Sequence, residues 1–370
     1  ATCDMRHATC NMRHAASNMQ HAACKLDARR EPNGKVHGRN MQHATCDMRQ
    51  ATSDMRQATC NKPDAPRNLE KKRQYSIGGM LSDLPGISSQ GLGNATRPLI
   101  RGMSNSRVRI LQNGSSLSDV SEFGEDHIVG YDPMLIDQIE IIKGPATLLY
   151  GNNAFAGVVN IINPLITVDK PSLGEVVQAD FGYSTSGGEL KSALKGNKTV
   201  GDFTVRGMGS FLSSSSYELA NTSAVQSNSA KQNFTGGIGL TYNDGRNFFG
   251  FSADKLEAEY SLPGGEGVEN RTTLNPTRNT FNFKSGISIN SDLFEKVNIE
   301  GTVSEYSHAE RVLADKHNIE FFNDAYEFKT SLNHKSLFSN NTEGLIGFHY
   351  QNFLLQSWRG LHLNLGQLTL

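Results

Sequence analysis

The chain has 370 residues, a net charge of −1, 8% aromatic residues, 36 glycines and five cysteines. The near-neutral balance leaves no basic footprint, so no nucleic-acid partner is expected. No run of eighteen apolar residues occurs, so any crossing of a bilayer would have to use strands.

In chain order, ATCDMRH, ATCNMRH, AASNMQH and AACKLDA follow one another at a period of seven. After the spacer RREPNGKVHGRN the repeat resumes with MQHATCD, MRQATSD and MRQATCN. Cys3, Cys10, Cys24, Cys46 and Cys60 all fall within it. Cys10 with His7 and His14 could offer metal ligands, but no fixed CxxC or HxxxH spacing supports that. A stripe of Ala8, Met12, Ala15, Met19 and Ala22 has coiled-coil spacing, yet such small residues bury little area. The repeat and the charged linker Asn61 to Gln74 together predict a low-complexity, disordered segment over residues 1–74. It shows no secretory-signal pattern, so no export route is visible in it.

The stretch Arg97 to Asn163 carries concordant local signals. Arg107 to Leu111 alternates apolar Val108 and Ile110 with arginines and meets Asn113-Gly114, which predicts a half-buried strand ending in a tight turn. Asp132 before Pro133 predicts a helix start, with Met134 to Asp137 a short helix. Ile139 to Ile142 reads as a strand, Ala146 to Tyr150 as a second short helix, and Gly157 to Ile162 as a last strand. The unit is α+β with a small mixed sheet.

Beyond it, nine segments of about ten residues show weak alternation. They are Glu175 to Tyr183, Glu189 to Lys198, Asp202 to Leu212, Asn233 to Asn243, Arg246 to Leu256, Thr277 to Ile289, Val297 to Ser307, Tyr326 to Lys335 and Thr342 to Phe353. Short turns such as Asn243-Asp244-Gly245 alternate with long polar loops at Ser213 to Lys231 and Glu257 to Pro276. That asymmetry favours antiparallel barrel strands over a soluble β-sandwich. The tail from Leu354, which holds the sole tryptophan, Trp358, is expected to break the strand pattern.

Glu125-Asp126-His127 lies between the Asn113-Gly114 turn and the Asp132-Pro133 start. Such a triplet suits either a solvated loop or half a zinc site, since carboxylate oxygen and imidazole nitrogen both ligate zinc. No nucleophile–base–acid arrangement stands out, so no enzyme activity is expected.

The passages LSDLPGI, RPLIRG, SRVRILQNG and IEIIKGPATLLYGNNAFAGVVNII resemble the plug domain of TonB-dependent outer-membrane receptors. Asn113 stands where such plugs often have Asp, and Ala156 where Gly is usual. The resemblance implies a plug over 75–168, a transmembrane β-barrel portion over 172–353 and an aberrant tail over 354–370. It also implies an outer-membrane location in contact with lipid, active uptake of a scarce nutrient and the TonB energy-transducing complex as partner. Neither a TonB box nor the first plug strand is found ahead of LSDLPGI. Nine strands cannot close the 22-stranded barrel of the family, so the expected fold is a plug with an incomplete barrel, as in a truncated or frameshifted product.

Within that family, DVSEFGEDHIVGYDP is similar to the plug of zinc-uptake receptors, and Tyr260 to Gly264 to the start of their long external loop. Here that loop, GGEGVENRTT, lacks the family's histidines. The resemblance makes Asp126 and His127 candidate metal residues and gives Glu320 as a carboxylate from the barrel; His308 and Glu310 are neighbours on an expected loop. Zinc is then the transported substrate, with no cofactor required. A siderophore or haem receptor, or a non-transporting gene remnant, is the alternative.

Overall fold

The computed structural model describes residues 76–361 except 123, 125, 145–149, 151–153, 169–174, 223, 264–270, 290, 292, 313–316 and 335–343. The heptad repeat with all five cysteines, the linker to Gln74 and all but the end of the expected Ala146 to Tyr150 helix lie outside the described residues.

A one-turn helix, α1 (Ile77–Leu81), opens the plug, with Ser76 accepting from the Gly79 N–H at its N-cap. β1 (Ile87–Leu92) and β2 (Ala95–Ile100) form a hairpin. β3 (Val108–Gln112), β4 (Ser115–Ser116), β5 (Gln138–Lys143) and β6 (Gly157–Ile162) form a mixed sheet in the order β4-β3-β6-β5. β3 runs parallel to β6, and β5 antiparallel to it. Asn113 and Gly114 both take positive φ, 52° and 87°, as the tight turn after β3 requires.

Two expectations need correction here. β3 is buried on both faces instead of half-buried, because its arginine face meets another part of the chain: Arg109 donates to Gln351 Oε1 at 2.7 Å. The expected Met134 to Asp137 helix is a single 3-10 turn at Pro133–Leu135. Asp132 caps it by accepting from the Met134 N–H, while Asp137 has left the helix to bind Lys195 and Arg206.

The second part is one antiparallel sheet of ten strands. It comprises β7 (Glu175–Ser184), β8 (Glu189–Val200), β9 (Phe203–Ser214), β10 (Lys231–Asn243), β11 (Phe248–Ser261), β12 (Thr273–Leu274), β13 (Thr277–Ser288), β14 (Phe294–Val312), β15 (His317–His334) and β16 (Gly344–Leu361). Nine are long and match the nine expected segments; the tenth, β12, is a two-residue piece bridging β11 and β14. Among the described residues no ladder joins β7 to β16, so the sheet is an open wall. The expected break at Leu354 does not occur, since β16 stays in register with β15 through Leu361. β14 and β15 also extend well past their expected ends, which places His308 and Glu310 on a strand and not on a loop.

The wall wraps the plug through polar grips. Arg278 donates to Gln112 Oε1 at 2.7 Å, Lys284 to Asn113 O at 2.8 Å, and Asn323 to Ser118 O at 2.7 Å. Glu327 accepts from the Ser116 N–H at 2.9 Å, with Lys329 Nζ at 2.7 Å and His349 Nε2 at 2.8 Å from its other oxygen. Asp132 accepts from Ser210 and Asn233 of β9 and β10. Where the chain leaves the plug, Leu165 lies directly against Gly239: a Cβ there would come within 2.2 Å of the Leu165 carbonyl oxygen. Gly301, on the other side of the wall, has nothing within 4 Å of such a Cβ.

These two glycines give a paired test. Gly239→Ala should lower unfolding free energy by about 1–3 kcal/mol through overpacking, whereas Gly301→Ala should leave it unchanged or slightly raised. Denaturant unfolding of the refolded chain checks this; equal effects of the two changes would contradict the observed plug–wall packing.

Candidate metal centre

His127 sits on the plug segment between the 3-10 turns Val120–Glu122 and Pro133–Leu135. Asp119 ties that segment down by accepting from the Ser121 and Gly130 N–H groups. Tyr260 of β11 then clamps the backbone around the histidine, its hydroxyl accepting from the Ile128 N–H at 3.1 Å and donating to Asp126 O at 2.8 Å. Gly124 permits the tight approach, since a Cβ there would fall 2.4 Å from both Asp126 Oδ1 and His127 Nδ1.

The wall brings two more side chains to the same point. His308 and Glu310 are two apart on β14 and therefore share one face of the strand. Glu310 Oε1 lies 3.1 Å from His127 Nε2 and 3.4 Å from His308 Nε2. One ligand atom from each of His127, His308 and Glu310 lies within 4.8 Å of the others. A tetrahedral zinc with bonds near 2.0–2.1 Å has ligand–ligand edges of about 3.4 Å, so little movement would admit the ion.

Aromatic rings close the cluster from the side. Phe321 stacks on His308 with centroids 4.5 Å apart, and the two imidazoles meet edge-on at 4.9 Å. His308 is buried, and its Nδ1 has no hydrogen-bond partner among the described residues.

Asp126 stands on the far side of His127, its Oδ1 3.0 Å from Nδ1. It therefore faces the nitrogen turned away from the cluster and acts through the imidazole, as carboxylates behind metal-bound histidines do. Glu320 is not brought to the cluster. It pairs with Ala309, whereas Phe321 and Ile319 pair with His308 and Glu310, so the two-residue period puts Glu320 on the opposite face of the wall. Sequence reasoning named His308 and Glu310 only as loop neighbours; once β14 is a strand, their i, i+2 spacing is the signal that unites them.

Burial opposes charge on His127, but the carboxylates of Asp126 and Glu310 on either side of its ring win and raise its pKa to about 9. The Asp126 carboxyl is held low by its hydrogen bond to that ring. His127 thus contributes metal-free stability that is complete below its unfolded pKa of about 6.5 and is lost as pH rises through about 9. In metal-free protein, Glu310→Gln should bring the His127 titration, followed by NMR of the ring proton, down by a unit or more. An unmoved titration would show that Glu310 does not face the imidazole.

The chain is similar to known proteins over both parts of its fold. The TonB-dependent Receptor Plug Domain family matches residues 66–158. The vitamin B12 transporter BtuB of Vibrio vulnificus (strain CMCP6) is 30% identical over 196 residues, 48% of this chain and 31% of the relative. Among solved structures, the copper transporter OprC superposes with a TM-score of 0.65 at 19% identity, over 76% of this chain and 43% of that one. The pyoverdine receptor FpvA of Pseudomonas aeruginosa PAO1 does so with a TM-score of 0.60 at 13% identity, over 79% and 46%. The chain thus spans about a third of the curated relative and under half of these solved chains. The relatives are transporters and receptors, not enzymes. Residues 66–158 thus match the TonB-dependent Receptor Plug Domain model, and the antiparallel wall that follows shares the fold of these solved transporter and receptor structures.

Proposed function

We propose that the chain belongs to a TonB-dependent outer-membrane receptor whose transported substrate is zinc, taken up with energy from the TonB complex. The observation that carries this reading is the meeting of His127 from the plug with His308 and Glu310 from the wall. Two imidazole nitrogens and one carboxylate oxygen form a donor set suited to zinc, leaving a fourth position for water or another ligand. Cu(I), by contrast, favours soft sulfur donors.

The division of ligands also suggests how capture would be followed by release. While the plug is seated, three donors converge. A displacement of the plug segment would carry His127 away from the wall and leave two donors, too few to retain the ion tightly. Pulling on the plug would thus be coupled to loss of the metal. The nearby aromatic rings and the burial of His308 keep the seated site shielded from competing water.

Calorimetric titration of the refolded full chain with zinc is the direct test. His127→Ala and His308→Ala should each weaken binding by more than tenfold, Asp126→Asn by about tenfold through the misoriented imidazole, and Glu320→Gln not at all. Unchanged affinity in both histidine variants would remove zinc as the substrate of this site.

A further inference from the structure

On the face of the wall turned away from the plug, Phe283, Gly301, Phe328 and Tyr350 are direct register partners across β13, β14, β15 and β16. Three large rings with one glycine among them leave a notch whose floor is Gly301. Phe281 and Tyr326, one rung along on the same face, close its rim. The notch is a hollow of about 440 Å³ open to the surface and lined mainly by aromatic side chains.

Its depth in the apolar band says what fills it. The next outward-facing charges toward the metal centre form a row of Lys255, Glu305 and Asp324, joined in register through Asn279. Glu305 is four residues along β14 from Gly301, about 13 Å at the strand rise. Charged groups at headgroup level would meet that row, and only hydrocarbon would reach the notch. The notch is also continuous with the exposed apolar residues of the same face, including Ile238, Leu240 and Phe251.

We propose that this notch binds one acyl chain of a membrane lipid, more persistently than the surrounding lipid layer does. In hydrocarbon there is no hydrophobic gain from burying one apolar surface against another; the difference must come from contact. A chain lying on the smooth wall touches protein on one side. In the notch it touches Phe283 and Phe328 on its flanks and the Gly301 backbone beneath, multiplying dispersion contacts that are small singly and large in sum. A notch left unfilled would forfeit those contacts.

The test is native mass spectrometry of the full chain refolded with dimyristoyl phosphatidylcholine and then exchanged into detergent. The wild-type chain should retain one lipid, and Gly301→Phe and Gly301→Val, whose Cβ enters open space, should lose it while keeping wild-type β content by circular dichroism. Phosphatidylglycerol with the same chains should be retained equally, because the chain and not the headgroup is held. Retention by both Gly301 variants, no retention by the wild type, or retention that follows the headgroup would each overturn the assignment. So would a dimer that the Gly301 variants dissociate, since the notch would then seat a second copy.

Discussion

The structure turns on the way the wall's charged side chains end on plug backbone. Lys284 reaches the carbonyl of Asn113, Lys329 that of Gly114, and Glu327 accepts the N–H of Ser116, so one short hairpin of the plug is held from β13 and β15 together. Glu327, the buried member of the three, demands such partners, because an unpaired charge costs several kcal/mol where water is excluded. Each of these three contacts ends on plug backbone and fixes the position of that hairpin to within a hydrogen bond. That precision carries over to the next segment, where Tyr260 holds the backbone on both sides of His127 and delivers its ring to Glu310.

The wall works through the two-residue period of its strands. On the plug side it carries Arg278, Asp254, Glu327 and Asn323, all buried and committed to polar contacts or to one another. On the other side it carries exposed phenylalanine, leucine, valine and tyrosine. In a soluble protein such an apolar face would seek a partner; in an outer-membrane wall, lipid is its ordinary surroundings. Glycines serve both faces differently, giving way to Leu165 on the inside at Gly239 and leaving a hollow on the outside at Gly301.

Local signals made much of this legible. Asn113-Gly114 marked a turn that the backbone takes with two positive φ angles, and Asp132-Pro133 marked a capped turn that the structure contains in shortened form. The nine long strands followed from alternation alone. What escaped was set by partners distant in sequence. Arg107 to Leu111 looked half-buried because nothing local shows that Gln351 lies 242 residues away over its polar face. The tail from Leu354 looked irregular, yet its register with β15 makes Leu354 the partner of Asp324 and Trp358 that of Glu320. For the site, the plug pair was visible in the sequence, but choosing between Glu320 and Glu310 required the strand's phase, which one residue of slip inverts.

The central claim is that plug and wall share one metal ion, and zinc K-edge X-ray absorption on the zinc-loaded full chain tests it most directly. The account predicts a first shell of nitrogen and oxygen near 2.0–2.1 Å with the outer-shell signature of two imidazoles, reduced to one imidazole in either His127→Ala or His308→Ala. A shell with two imidazoles in the absence of His308, or with no imidazole at all in the wild type, would contradict it.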